Sequence, residues 1–320
     1  MKISLDRFRA LADPTRLRIV ALLRTMELAV GELAHVLGQS QPRVSRHVKI
    51  LCDAGIAKRR REGSWVFLVP GDPSCVTPLF RVIDEWQASA QLDHWVIADA
   101  ARLAAVRADR AAAAERYFTA HAGQWDAMRS LHVAESEVEA AMERALSDAP
   151  IGVLIDIGTG TGRMIELFGA QAIHATGIDR SPEMLRLART KLVESPLTKW
   201  DLRQGDINAL PIEAGHADTV IMHQVLHFIP APEAAVAEAA RLVKAGGRLL
   251  IVDFAPHERE ALRADDAHAR LGFSDNQIRS WCKDAGLTVD FVEELAGGEL
   301  TVKIWRGHRV AAPQLKVVAA

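Results

Sequence analysis

The chain has 320 residues, 39 Lys+Arg against 41 Asp+Glu, a formal net charge of −2, 49% hydrophobic residues and 25% charged residues. At roughly 100–200 residues per domain this length predicts two domains, and the composition excludes a disordered chain, a collagen-like chain and a disulfide scaffold. The three cysteines (Cys52, Cys75, Cys282) form no close pair, no apolar run approaches the roughly 18 residues of a membrane span, and the first residues hold no signal-peptide core. A cytoplasmic protein without a membrane partner is therefore expected.

The near-neutral total hides an asymmetry. Residues 1–70 carry 13 Lys+Arg against 6 Asp+Glu, +7 overall, and the remainder is −9, so one end of the chain suits a polyanion. In chain order, LDRFRALADPTRLRIVALLR (5–24) has apolar residues at helical spacing, with a helix start at Asp13-Pro14. VGELAHVLG (30–38) is a short helix ending at Gly38. SQPRVSRHVKILCDAG (40–55) is a helix with Ser40 as N-cap and Gly55 at its end. IAKRRREGSWVFLVP (56–70) alternates and turns at Glu62-Gly63, the pattern of a β-hairpin. Three short helices and a hairpin make an α+β winged helix-turn-helix.

On its last helix, Ser40, Gln41, Arg43, Ser45, Arg46, His47 and Lys49 crowd one stretch, while Val44, Val48 and Leu51 recur at i, i+4, i+7 for the buried face. Arg, Gln and Ser read base edges or clamp phosphates. The hairpin adds Arg59, Arg60 and Arg61 after Lys58, suited to backbone contact beside the groove. Double-stranded DNA is the expected partner. Residues 5–70, on the stretches just quoted, closely resemble the ArsR/SmtB winged-helix transcriptional repressors. The resemblance implies a homodimer on a pseudo-palindromic operator. Metal-sensing members carry a Cys-x-Cys pair where this chain has Ala29 and Gly31, and PLFRVIDEWQASAQLDHW (78–95) lacks the paired ligands of zinc-sensing members, so no metal is expected.

Residues 79–146 read as helical, and ten of the eighteen residues in 98–115 are Ala, the strongest intrinsic helix former. A stiff connector follows from that, and the expected domains are 1–75 (winged helix), 76–116 (helical dimerisation and connector region) and 117–320 (α/β).

From 153 the stretches VLIDIG, ATGID, DLRQGD, DTVIMH, RLLIVDF, LTVDFV and LTVKIW alternate with helical segments, as in a doubly wound α/β sheet. The first strand ends in LIDIGTGTGRM (154–164), where glycines at 158, 160 and 162 let a ligand lie against the backbone at a helix start. A dinucleotide fingerprint would need glycine at Arg163 and fails there. The second strand ends in Asp179, suited to ribose hydroxyls; the third ends in GDINALP with Asp206 and Ile207; the fourth ends at His223.

This series resembles the class I S-adenosylmethionine (SAM) methyltransferases over about 117–310, which implies a seven-stranded Rossmann-like sheet with an antiparallel final hairpin. By the same resemblance Asp156, Gly158 and Gly160 would line the methionine part of SAM or of its product S-adenosylhomocysteine (SAH), and Gly162 and His223 would also be cofactor-binding. Asp179 would hold the ribose, Met184 would pack on the adenine, and Asp206 and Ile207 would meet its edge.

Methyl transfer is an in-line displacement in which alignment supplies much of the catalysis, so no fixed dyad is legible. His223, His227, His257 and His268, with Asp253, follow strand ends as weak general-base candidates. Tyr117, Trp125, Arg129 and His132 are candidates for a lid over a small-molecule acceptor. The layout resembles the SAH-responsive ArsR-type regulators of the methionine cycle. A DNA-binding regulator with SAM or SAH as effector is the leading reading, and an active small-molecule methyltransferase fused to its own repressor is the alternative.

Overall fold

The computed structural model describes residues 2–62, 65–88, 94–121 and 133–310. Among these, the chain divides into two compact units, 1–111 and 112–320.

The first unit opens with α1 (Lys2–Leu11) and α2 (Pro14–Leu23). The break between them is chemical: Asp13 accepts the Arg16 N–H at 3.0 Å as N-cap, and Pro14 starts the next helix. A two-residue strand β1 (Leu28–Ala29), which the sequence reading did not include, precedes α3 (Val30–Leu37) and α4 (Gln41–Asp53). Gly38 ends α3 in the left-handed region at φ +65°, where a side chain would be strained. β2 (Ala57–Glu62) and β3 (Trp65–Pro70) form the expected hairpin, and β1 pairs antiparallel with β3 through Leu28 and Leu68, giving the order β1-β3-β2.

The core gathers Ile19, Leu28, Leu33, Val36, Val44, Leu51 and Leu68, all fully buried. α5 (Pro73–Ala88) and α6 (His94–His121) follow. α6 adds Leu103 and Val106 to this core. Its Asp99 takes both oxygens to Arg18 on α2, each at 2.6 Å, and Arg102 donates to the Val36 carbonyl at 3.0 Å.

The second unit runs α7 (Glu135–Leu146), β4 (Gly152–Ile157), α8 (Arg163–Phe168), β5 (Ala172–Asp179), α9 (Pro182–Glu194), β6 (Trp200–Gln204), β7 (Ala217–His223), α10 (Pro232–Leu242) and β8 (Val243–Phe254). It closes with α11 (Ala261–Asp265), α12 (Asp275–Asp284), β9 (Thr288–Ala296) and β10 (Thr301–His308). The sheet has the order β6-β5-β4-β7-β8-β10-β9. The first five strands in that order are parallel, and β10 runs antiparallel to both β8 and β9. This is the expected Rossmann-like sheet with its antiparallel final hairpin.

Strand alternation feeds two apolar layers. On one face Val220, Met222, Leu249 and Ile251 pack with Ala235, Val236, Ala239 and Ile278 of α10 and α12. On the other, Leu154, Ile221, Leu250 and Val252 pack with Ala141, Met142 and Ala145 of α7 and with Phe168 of α8. Strand order reverses at β4, which lies between β5 and β7. In open α/β sheets a ligand crevice forms at such a switch point, outside the carboxyl ends of the strands.

Candidate functional site

In the first unit, α4 turns Val44, Val48 and Leu51 inward and leaves Gln41, Arg43, Arg46 and Lys49 exposed, with exposed Ser40 just before them. Ser45 is half-buried. So is His47, whose Nδ1 lies 3.6 Å from the Asp13 carboxylate. Lys49 pairs with Asp53 at 2.7 Å. On β2, Arg59 and Arg61 are exposed, whereas Arg60 pairs with Glu27 and lies over the Phe67 ring at 5.2 Å. Strand alternation thus splits the arginine run: two guanidiniums face solvent and one holds the hairpin to its own unit. The four-residue basic run gave no sign of that division.

In the second unit, β4 carries buried Asp156 as its penultimate residue and passes after Ile157 into the glycine turn. Gly158, at φ +72°, is forced: a Cβ there would lie 2.4 Å from Val225 Cγ2 in the turn after β7. Gly160 and Gly162 also have positive φ, and Gly162 caps α8. Gly158 N–H and Thr159 N–H both donate to the Ile178 carbonyl, at 2.8 and 3.0 Å. Gly160 N–H donates to Asp179 Oδ2 at 2.8 Å, and Ser181 N–H donates to Asp179 Oδ1 at 2.8 Å. Burial pushes the Asp179 carboxyl up from its ordinary range, and the backbone N–H groups of Ser181, Gly160 and Arg180 oppose that rise.

Thr159 Oγ1 is buried with no hydrogen-bond partner among the described residues. Gly177, in mid-strand, allows this close approach, because a Cβ there would meet Thr159 Oγ1 at 2.7 Å. Arg163, which stands where a dinucleotide site needs glycine, binds Glu139 of α7 through Nε and Nη2 at 2.6 and 2.9 Å. That bidentate bond holds its guanidinium above the ordinary arginine range.

The other sites follow in register. Ser181 caps α9 by accepting the Met184 N–H at 3.3 Å, and Met184 is buried. Gly205 N–H donates to the Asp179 carbonyl at 3.0 Å, which sets Asp206 beside Asp179. Asp206 is exposed and accepts both nitrogens of Asn208, and Ile207 is half-buried.

His223 is buried at the end of β7, and Gln224 after it has φ +50°, an arrangement that costs a non-glycine residue about 1–3 kcal/mol. His227 sits in a single 3-10 turn at 226–228 with its Nδ1 2.8 Å from Asp253 Oδ1 of β8. Asp253 is fully buried and also accepts the N–H groups of Leu226, His227 and Phe254. His268 packs on His227 at 4.3 Å between ring centroids, and His257 lies 6.5 Å from His268. The structure therefore pairs His227 with Asp253 and brings His268 onto the His227 ring, with His257 beyond it. Gln224, Ser181 and the direct bond between the candidates His227 and Asp253 are not legible in the sequence. A left-handed Gln has no sequence signature; a glycine in mid-strand, as at Gly177, is the one kind of signal that marks a close backbone approach. Among the described residues no group of three or more His, Cys, Asp or Glu side chains could hold a metal ion. Tyr117 falls on α6, and Trp125, Arg129 and His132 lie outside the described residues.

Two family models match the chain: "Bacterial regulatory protein, arsR family" over residues 13–59 and "Methyltransferase domain" over residues 155–251. The Pseudomonas putida arsenic resistance transcriptional regulator ArsR1 is 44% identical over 101 residues, which are 30% of this chain and 74% of that regulator. The phosphatidylethanolamine N-methyltransferase of Cereibacter sphaeroides is 35% identical over 114 residues, 35% of this chain and 56% of the enzyme's length. Among solved structures, a chain from the complex of the Haloferax volcanii Trm112 methyltransferase activator with a methyltransferase matches with a TM-score of 0.50 at 19% identity. That match covers 60% of this chain and 97% of the other, a likeness of fold alone.

Proposed function

The chain belongs to the ArsR family of bacterial regulatory proteins and carries a methyltransferase domain in the same polypeptide, and from this premise we propose that it is a DNA-binding transcriptional regulator, a repressor, whose second unit binds SAM or SAH as effector. One observation carries the effector half: the Asp179 carboxylate, half-buried at the end of β5, grips the glycine turn through Gly160 N–H. A carboxylate offers about four acceptor directions, so capacity remains there for a ribose diol. The residues fit the cofactor in other respects too. The turn at Gly158 is packed so tightly on Val225 that no side chain fits there, which keeps its backbone in place, and the buried Thr159 hydroxyl supplies a polar atom.

Asp156, Gly158, Gly160, Gly162 and His223 would hold the methionine part, Asp179 the ribose, and Met184, Asp206 and Ile207 the adenine. Bound SAM supplies an activated methyl group; this chain's part is to hold and orient it. For DNA, exposed Ser40, Gln41, Arg43 and Arg46 on α4 support reading in the major groove, with half-buried Ser45 beside them, and Arg59 and Arg61 support backbone contact from the hairpin. Lys49, His47 and Arg60 are engaged within the unit and contribute through it. Leu5 and Phe8 stand exposed on α1, Phe8 at 58%, which favours a homodimer on a pseudo-palindromic operator. No helix among the described residues is long and apolar enough to cross a membrane, in keeping with a cytoplasmic regulator. α6 is fixed to the first unit by Arg18–Asp99 and continues past residue 111.

Effector action requires the two states to differ in ligand affinity. Operator affinity measured by fluorescence anisotropy should change about 5–150-fold between the ligand-free protein and protein saturated with SAM or SAH. Equal affinity in all three conditions overturns the sensing proposal. The second reading, methyl transfer to a small-molecule acceptor, is favoured by the His227–Asp253 pair at the C-terminal ends of β7 and β8, and labelled SAM with a metabolite pool tests it.

A further inference from the structure

The turn that carries His227 abuts the cofactor turn directly. Val225, two residues earlier, fills the space beside Gly158. Behind it, segment 255–273 is strapped over the same strand ends. Ala269 and Arg270 N–H groups both donate to the His227 carbonyl at 2.9 Å, His257 N–H to the Leu271 carbonyl at 3.0 Å, and Phe273 N–H to the Phe254 carbonyl at 2.9 Å. The two non-glycine residues with positive φ among the described residues, Gln224 and Ala267, flank this cluster, three residues before His227 and one before His268.

Four flat rings meet there. Phe228 lies 3.9 Å from His227, Phe254 5.0 Å and His268 4.3 Å, and Phe254 stacks on His268 at 16°. Asp253 faces the ring from β8 with both oxygens already accepting backbone N–H groups. The hydrogen-bond network therefore assigns the ring proton to Nδ1, donated to Asp253, and leaves Nε2 as the acceptor nitrogen. The other titratable or charged groups around it are His223 at the end of β7 and His257, Arg263, His268 and Arg270 of the strapped segment.

We propose that His227, oriented by Asp253, takes the proton of a hydroxyl-bearing aromatic acceptor seated against these rings beside the cofactor. This rests on the second unit binding SAM or SAH. In the step, an oxygen lone pair of the acceptor forms the new C–O bond to the SAM methyl carbon, and the C–S bond breaks with its electron pair on sulfur, giving SAH. The hydroxyl proton passes to His227 Nε2, and Asp253 holds the resulting imidazolium. Asp253 is a positioning residue.

The probe is 4-nitrophenol, whose phenolate absorbs in the visible, added to the full-length protein with saturating SAH about one pH unit below the ionisation of the free probe. Wild type should raise the phenolate band about fivefold over protein-free solution, the change from about one part in eleven to about one half that a one-unit pKa shift gives. His227→Gln should abolish that rise while calorimetric SAH affinity stays within about twofold. Asp253→Asn should reduce the band and leave some probe binding. SAH binding without a phenolate band in wild type overturns the proposal even if the Asp253 variant fails to fold, and so does a band that persists in His227→Gln. Absence of SAH binding fails at the calorimetric step and overturns the cofactor reading itself.

Discussion

Asp179→Asn isolates the group on which the cofactor reading turns. The carboxylate receives one N–H from Gly160 and one from Ser181, both at 2.8 Å. Asparagine keeps a single oxygen, so one of these donors would face an NH2 group, and the ribose would lose an anionic acceptor. A hydrogen bond to a charged group contributes about 1.5–3 kcal/mol, which at about 1.4 kcal/mol per decade raises the SAH dissociation constant roughly 10–150-fold.

Melting temperature is the wrong readout, because two effects oppose. Burial raises the folded-state pKa of Asp179 above its unfolded value, so its protonation stabilises the fold at low pH and that contribution is lost as pH rises through the raised value. At neutral pH the neutral amide removes this cost while it also removes a bond. Calorimetric titration with SAH has no such ambiguity. Wild-type affinity should decline with acidification at pH values where an ordinary carboxylate is still ionised, because the ligand needs the ionised form. The variant should show no such decline. A variant that binds SAH within about twofold of wild type at neutral pH refutes the reasoning.

Three further outcomes are expected. Arg43→Ala or Arg46→Ala should weaken operator binding and flatten its salt dependence, each phosphate contact contributing about one unit of slope, with SAH affinity unchanged; loss of both activities together would contradict independent sites. Gly158→Ala combines a left-handed φ of +72° with a Cβ 2.4 Å from Val225, so strain of about 1–2 kcal/mol and overpacking of about 1–3 kcal/mol should destabilise the second unit in denaturant unfolding. Gly298→Ala, with nothing within 4 Å, is the control and should be near neutral. Cys282 is buried and its thiol is pushed up to about 11, so a thiol-specific reagent at neutral pH should label it only after unfolding; rapid labelling of the native protein argues against that burial.

The elements were largely legible because their signals are local. Asp13-Pro14, Gly38 and Gly55 mark helix ends by backbone chemistry that any neighbourhood would impose. Four of the seven α/β strands, β4, β5, β7 and β8, hold apolar runs next to turns, and β6, β9 and β10 mix polar with apolar residues. Short β1 was not legible, since Leu28 and Ala29 become a strand only through pairing with Leu68 and Phe67 some forty residues on. The glycine turn and Asp179 were readable as separate features. Their direct bond was not, because it depends on a parallel register that pairs Asp156 with Gly177. Arg60 shows the limit on the DNA side: its sequence neighbours are its chemical equals, and only strand alternation and Glu27 set it apart. His227 and Asp253 lie 26 residues apart on different strand ends, and no spacing rule connects them.

The central claim is that one chain couples a nucleoside ligand to an operator. The most direct measurement is the operator dissociation constant of the full-length protein titrated with SAH, for wild type and for Asp179→Asn side by side. The account predicts that wild-type affinity shifts at least about fivefold, and that the variant needs proportionally more SAH to reach the same shift. An unchanged wild-type affinity at saturating SAH, with SAH binding confirmed by calorimetry, contradicts it.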